Sequence, residues 1–168
     1  MSFPWPIPDA AAPDIYRFTP RFFTNRGIRL LLLDVDNTIA PYGDDTVPPR
    51  LAEWANGIRQ AGIEIYILSN NRGDRPSIFA EQLGCGWIGR AAKPGTKALL
   101  AVLQEKAVEP GQAALIGDQI YTDVLCARRA GILALLVQPI RLQNPLLALR
   151  YGLEVPFRAA YRWRSTKI

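Results

Sequence analysis

The sequence predicts a doubly wound α/β domain, a parallel sheet of five strands with helices on both faces. Three observations predict it. Short apolar runs recur along the chain between stretches with helical spacing. The runs lack the alternation of a half-exposed strand, so their faces are covered on both sides. Gly or Pro marks most changes of pattern. With 168 residues, 49% of them hydrophobic, the chain suits one domain with a substantial core.

The first 13 residues are rich in proline and read as irregular. Thr19 is placed to cap a short helix with Pro20 in its first turn, and Gly27 follows where that helix should stop. The run 28–33, ending at Asp34, is the first predicted strand. A helix is expected from about Pro48 or Pro49 to Gly62, then a strand over 63–68. A helix over 75–83 leads to a short strand at Trp87 and Ile88. A helix over 95–106, a strand over 113–116, a helix over 121–130 stopped by Gly131 and a strand over 132–137 complete the pattern. Strands alternating with helices mean right-handed βαβ units and a three-layer, Rossmann-like sandwich. The chain divides into an N-terminal extension with a short packed helix (1–27), a core (28–140) and a C-terminal segment (141–168).

Composition excludes several chemistries. No histidine is present, which removes a Ser-His-Asp triad, a phosphohistidine and a His-ligated zinc site. Cys85 and Cys126 form neither a disulfide framework nor a metal-ligand spacing, and read as free thiols of a cytoplasmic protein. The start, Met-Ser-Phe-Pro-Trp-Pro, lacks the features of a secretory signal, and no apolar run approaches the roughly 18 residues of a membrane span. The net charge of +5 is unevenly placed. Residues 1–140 carry fourteen basic and fourteen acidic side chains, whereas 141–168 carry six basic residues against Glu154 alone. A neutral body with a basic tail points to a polyanionic neighbour, either a membrane surface or nucleic acid.

In an open parallel sheet, ligands bind beyond the carboxyl ends of the strands, where strand order reverses. The residues falling there are Asp34-Val35-Asp36-Asn37-Thr38, Ser69-Asn70-Asn71, Lys93-Pro94 and Gly117-Asp118-Gln119, with Asp123 following. Carboxylates gathered at one edge repel unless a cation neutralises them. A cluster of oxygen donors without histidine suits Mg²⁺. Each piece has an ordinary reading as a helix cap, turn residue or solvated lysine, but all four would have to be coincidental at one sheet edge. An EF-hand loop opening at Asp34 fails, because its sixth position is Ile39 and its twelfth Asp45. Gly95-Thr96-Lys97 lacks the spacing of a nucleotide-binding loop.

These four sites, in this order and spacing, resemble the four motifs of the haloacid dehalogenase (HAD) superfamily. The resemblance covers 28–138 and is greatest to subfamily IIIA proteins of YqeG type, which group with phosphatidylglycerophosphate phosphatases. It implies a capless HAD phosphatase. Asp34 would be the nucleophile, forming an aspartyl-phosphate. Asp36 would protonate the leaving group and then activate water. Mg²⁺ would be held by Asp34, the Asp36 carbonyl and Asp118, supported by Asp123. Thr38, Ser69, Asn70 and Lys93 would contact the phosphoryl group, and Thr38 would also order the first loop. An acid two residues after the nucleophile favours phosphomonoester hydrolysis over the ion-pump and dehalogenase members, which lack it.

Between Thr38 and the next helix there is room for a flap but not a cap domain, so large or surface-bound phosphates could enter. In the tail, Leu146, Leu147, Leu149, Leu153, Val155, Phe157, Tyr161 and Trp163 interleave with the basic residues. The apolar residues could pack on the core, or they could join the arginines at an anionic inner-membrane surface. Phosphatidylglycerophosphate is the leading substrate. A nucleic-acid end, a phosphoprotein or a small metabolite stays open, as does a non-catalytic assembly role. Oligomeric state is undetermined.

Overall fold

The computed structural model describes residues 5–141, 149 and 151–156. Arg150, Leu146, Leu147, Phe157, Arg158, Tyr161, Arg162, Trp163, Arg164 and Lys167, on which part of the tail reading rests, lie outside the described residues.

The chain builds β1 (Ala10–Ala12), a 3₁₀ turn (Ile15–Arg17), α1 (Pro20–Thr24), β2 (Leu30–Leu33), α2 (Pro49–Gln60), β3 (Glu64–Leu68), α3 (Arg75–Leu83) and β4 (Gly86–Ile88). It continues with α4 (Lys97–Glu105), β5 (Ala113–Gly117), a π-helical turn (Ile120–Val124), α5 (Leu125–Ala130) and β6 (Leu133–Val137). All strand pairs are parallel, in the order β1-β6-β5-β2-β3-β4. The expected α/β class and parallel sheet are present, and no cap domain interrupts the described residues.

Among the described residues the sheet has six strands rather than five. The sixth is β1, in the segment expected to be irregular, and it pairs with the far edge through Ala11↔Leu136. Three alanines between Pro8 and Pro13 carry neither strand propensity nor a period. Asp9 sets the register instead. Its N–H donates to the Ala134 carbonyl at 2.8 Å, and its carboxylate accepts from Ala134 N at 2.9 Å and pairs with Arg128 at 2.7 Å.

The run Leu30–Leu33 shows why the strands lack alternation. Leu31 and Leu33 pack with Phe23, Leu51, Ile58 and Phe79 on the α1–α3 side. Leu30 and Leu32 pack with Leu99, Val102, Val124 and Cys126 on the other. All four leucines are fully buried, and each contributes roughly 1.5–3 kcal/mol. From β2 the chain moves outward to β3 and β4, then returns to β5 on the other side of β2. Strand order therefore reverses between β2 and β5, whose carboxyl ends deliver Asp34 and Asp118.

Candidate active site

Lys93 is the centre of the cluster. Its ammonium donates to Asp34 Oδ1 at 2.8 Å, Asp123 Oδ1 at 2.6 Å and the Leu68 carbonyl at 2.8 Å. All three donors are engaged and the side chain is almost wholly buried. Burial works against its charge, but Asp123 and Asp34 outweigh burial and raise its pKa. Asp34, Asp118 and Asp123 are also buried, with ligand oxygens within 4.8 Å of one another. Burial pushes Asp34 up to about 7, Lys93 opposes the shift, and Asp123 adds to it. Asp118 is raised by burial first, then by Asp123 and Asp34. One ammonium is too little charge for three buried carboxylates. The oxygen-only donor set fits a hard divalent cation, held by Asp34, Asp118 and Asp123.

The other expected residues come to the same place. Thr38 Oγ1 lies 3.3 Å from Asp34 Oδ2 and 3.4 Å from Asp118 Oδ1, so its one proton can bridge to either. Its loop turns tightly because Asn37 adopts φ 62° and donates its N–H to the Ala40 carbonyl. Ser69 Oγ accepts from Asn71 N at 3.1 Å, and Ser69 lines the cleft above Asp34. Asp36 lines the same cleft, which is open and about 500 Å³ in volume. Asn70 has a structural role that the sequence did not suggest. Its side-chain amide donates to Lys93 O at 2.9 Å and accepts from Lys93 N at 2.8 Å. That amide stitches the lysine loop to β3, while Asn70 also lines the cleft.

The chain matches the family model described as haloacid dehalogenase-like hydrolase over residues 14–131. It belongs to that family. This HAD hydrolase is also 34% identical over 134 residues to a protein described as a probable phosphatase, YqeG of Bacillus subtilis (strain 168), covering 80% of this chain and 78% of that one. The expectation of a phosphatase of the HAD family is borne out by these two findings together.

Solved structures agree in fold. The 3-deoxy-D-manno-octulosonate 8-phosphate phosphatase of Yersinia pestis superposes with a TM-score of 0.55 at 20% identity, over 74% of this chain and 69% of that one. The enzyme of that name from Moraxella catarrhalis, in complex with magnesium, phosphate and KDO, superposes with a TM-score of 0.54 at 21% identity, over 66% and 68%.

Several residues of this HAD hydrolase escaped the sequence reading. Asn71 Nδ2 donates to Asp36 Oδ2 at 2.9 Å. Arg75 Nε faces Asp36 Oδ1 at 2.7 Å as an ion pair, without the alignment of a hydrogen bond. Arg75 held a legible signal. A cation in the first turn of a helix opposes the helix dipole, and such local conflicts collect at functional sites. Gly117 permits Asp123 to lie across the end of β5, since a Cβ there would collide with the Asp123 carboxylate. Glu154, the lone acid of the basic tail, is buried and accepts from Ile120 N at 2.8 Å, at the start of the turn that carries Asp123. Leu149, Leu153 and Val155 are exposed, so the described part of the tail docks through Glu154 and through the Leu153 carbonyl, which accepts from the Tyr121 hydroxyl at 3.0 Å, rather than through its leucine side chains.

Proposed function

We propose that this chain is a Mg²⁺-dependent phosphomonoesterase working through an aspartyl-phosphate on Asp34, with phosphatidylglycerophosphate as substrate. The observation that carries the reading is the placement of Asp34 and Asp36. Asp34 sits at the buried cluster of Lys93, Asp118 and Asp123, while Asp36 lines the cleft two residues on. Thr38 lies against one Asp34 oxygen and Lys93 donates to the other. An Asp34 oxygen attacks phosphorus, the bond to the leaving oxygen breaks, and Asp36 gives that oxygen its proton. Asp36 then takes a proton from water, whose oxygen attacks phosphorus and returns Asp34 to a carboxylate. Lys93 balances charge on Asp34 throughout. Bound at Asp34, the Asp36 carbonyl, Asp118 and Asp123, Mg²⁺ would supply the positive charge that brings an anionic phosphoryl group to an anionic nucleophile.

The open cleft and the exposed Leu149, Leu153 and Val155 support a lipid substrate. So does the basic excess of 141–168, which would seat the enzyme on the cytoplasmic face of an anionic membrane. The deciding experiment is phosphate release from phosphatidylglycerophosphate in mixed micelles, beside a 3′-phosphorylated oligonucleotide, a phosphopeptide and a sugar phosphate. The expected result is the highest kcat/KM on the lipid. Equal or better turnover of a water-soluble phosphate removes the lipid assignment and leaves the phosphatase.

A further inference from the structure

We propose that Arg75 is the positioning residue that seats Asp36 and the flap 41–45 as one unit, so that leaving-group protonation depends on its guanidinium. The proposal rests on the phosphatase reading above for the role of Asp36, and on geometry alone for the clamp.

The guanidinium of Arg75 is buried and divides its donors between two loops. Its Nε faces Asp36 Oδ1. One terminal nitrogen donates to the Asp44 carbonyl and the Asp45 carboxylate, and the other to the Pro41 carbonyl. The guanidinium also lies 5.1 Å from the centroid of the Phe79 ring, which backs it from the same helix. With Asn71 donating to Oδ2 and the guanidinium against Oδ1, the Asp36 carboxyl is held between two partners where it lines the cleft. The flap held by the same guanidinium carries Tyr42, which lines the cleft together with Tyr121 of the π-helical turn. Two turns further along α3, Gln82 grips the flap's far end, donating to Asp45 O at 2.7 Å and accepting from Val47 N at 2.9 Å.

Stability alone does not account for this arrangement. A buried ion pair is weak evidence for stability, since apolar replacements of similar volume often match it. Arg75 also stands in the first turn of α3, where a positive charge is disfavoured. A planar fork with five donors can serve four acceptors on two segments in fixed geometry, and an ammonium cannot. Lysine at this position would keep the charge and lose the coupling.

The test compares p-nitrophenyl phosphate, whose leaving group needs little protonation, with benzyl phosphate, whose alkoxide must be protonated as it departs. Arg75→Met and Arg75→Lys are assayed beside wild type, with Gln82→Ala as a variant that loosens the flap without touching Asp36. Both Arg75 variants are expected to lose at least about tenfold more kcat/KM on benzyl phosphate than on p-nitrophenyl phosphate, within the range of a displaced general acid. Gln82→Ala is expected to affect the two substrates alike. Hydrogen exchange of peptides spanning 38–47 is expected to quicken in both Arg75 variants while β2 and β5 stay protected. Equal losses on the two substrates would overturn the seating of Asp36, and unchanged flap exchange would overturn the clamp. Where Arg75→Met fails to fold, Arg75→Lys decides both points. Absence of phosphate release from either compound by the wild type counts against the phosphatase reading, and the exchange result still decides the clamp.

Discussion

Lys93 and Asp123 show how far a side chain's meaning depends on what surrounds it. On its own, Lys93 reads as an ordinary surface lysine. In the fold it lies among three buried carboxylates, 2.8 Å from Asp34 and 2.6 Å from Asp123. Asp34→Asn is nearly isosteric and is expected to abolish phosphate release without unfolding the protein. The loss should exceed the roughly 10²–10⁴-fold typical of general acid–base groups. A purified variant turning over within about tenfold of wild type rules Asp34 out as nucleophile. Gly117→Ala tests the same cluster from behind. Its methyl group would meet the Asp123 carboxylate at the rigid end of β5, so Asp123 must leave Lys93. The expected outcome is a folded protein whose melting temperature no longer rises on adding Mg²⁺. An undiminished Mg²⁺-induced rise shows that Asp123 is not needed for the cation.

Helix ends were legible because their signals are local. Thr19 Oγ1 accepts from Phe22 N at 3.3 Å with Pro20 in the first turn of α1, as the sequence predicts. Gly131 closes α5 in the left-handed conformation, at φ 73°. The turn between β5 and α5 was not legible in this way. A regular helix was expected from about residue 121, whereas Ile120–Val124 forms a π-helical turn. This wider turn brings Asp123 back over Gly117, and π-turns often mark functional sites. Its first N–H is capped by Glu154, from the helical segment 151–156. Glu154→Ala leaves that buried donor unsatisfied and is expected to cost about 1–3 kcal/mol, read by urea denaturation. Unchanged stability would mean that the tail segment does not hold this turn.

The charge cluster also couples folding to pH and to metal. Asp34 rises from its ordinary 3.8 to about 7 in the metal-free fold, chiefly by burial, and Asp118 moves the same way. Between those two values the folded chain keeps a proton that the unfolded chain has released. Stability from this source is therefore complete below about pH 4 and declines as pH rises toward 7. In chelator, the melting temperature is expected to fall across that window more steeply for wild type than for Asp34→Asn. Adding Mg²⁺ at pH 7 should restore the wild type, because a bound cation stabilises the folded state by mass action. A wild-type profile parallel to that of Asp34→Asn would show that burial of this carboxylate carries no such cost.

The order of apolar runs, glycines and prolines determined the α/β class, the core strands and the edge at which Asp34, Asp36, Ser69, Lys93 and Asp118 meet. Those features were readable because burial on both faces leaves unbroken apolar strands, and because parallel strands must all end on one side. Tertiary structure decided what depends on pairing across the chain. The edge strand at Ala10–Ala12 exists because β6 offers an open row of backbone groups and Asp9 anchors the register. Asn70 turns its amide to the Lys93 backbone, Arg75 joins Asp36 to the flap, and Glu154 reaches Ile120, each across more than twenty residues of chain. No local period or propensity encodes such contacts. They follow from which loops the folded sheet brings together at its carboxyl edge.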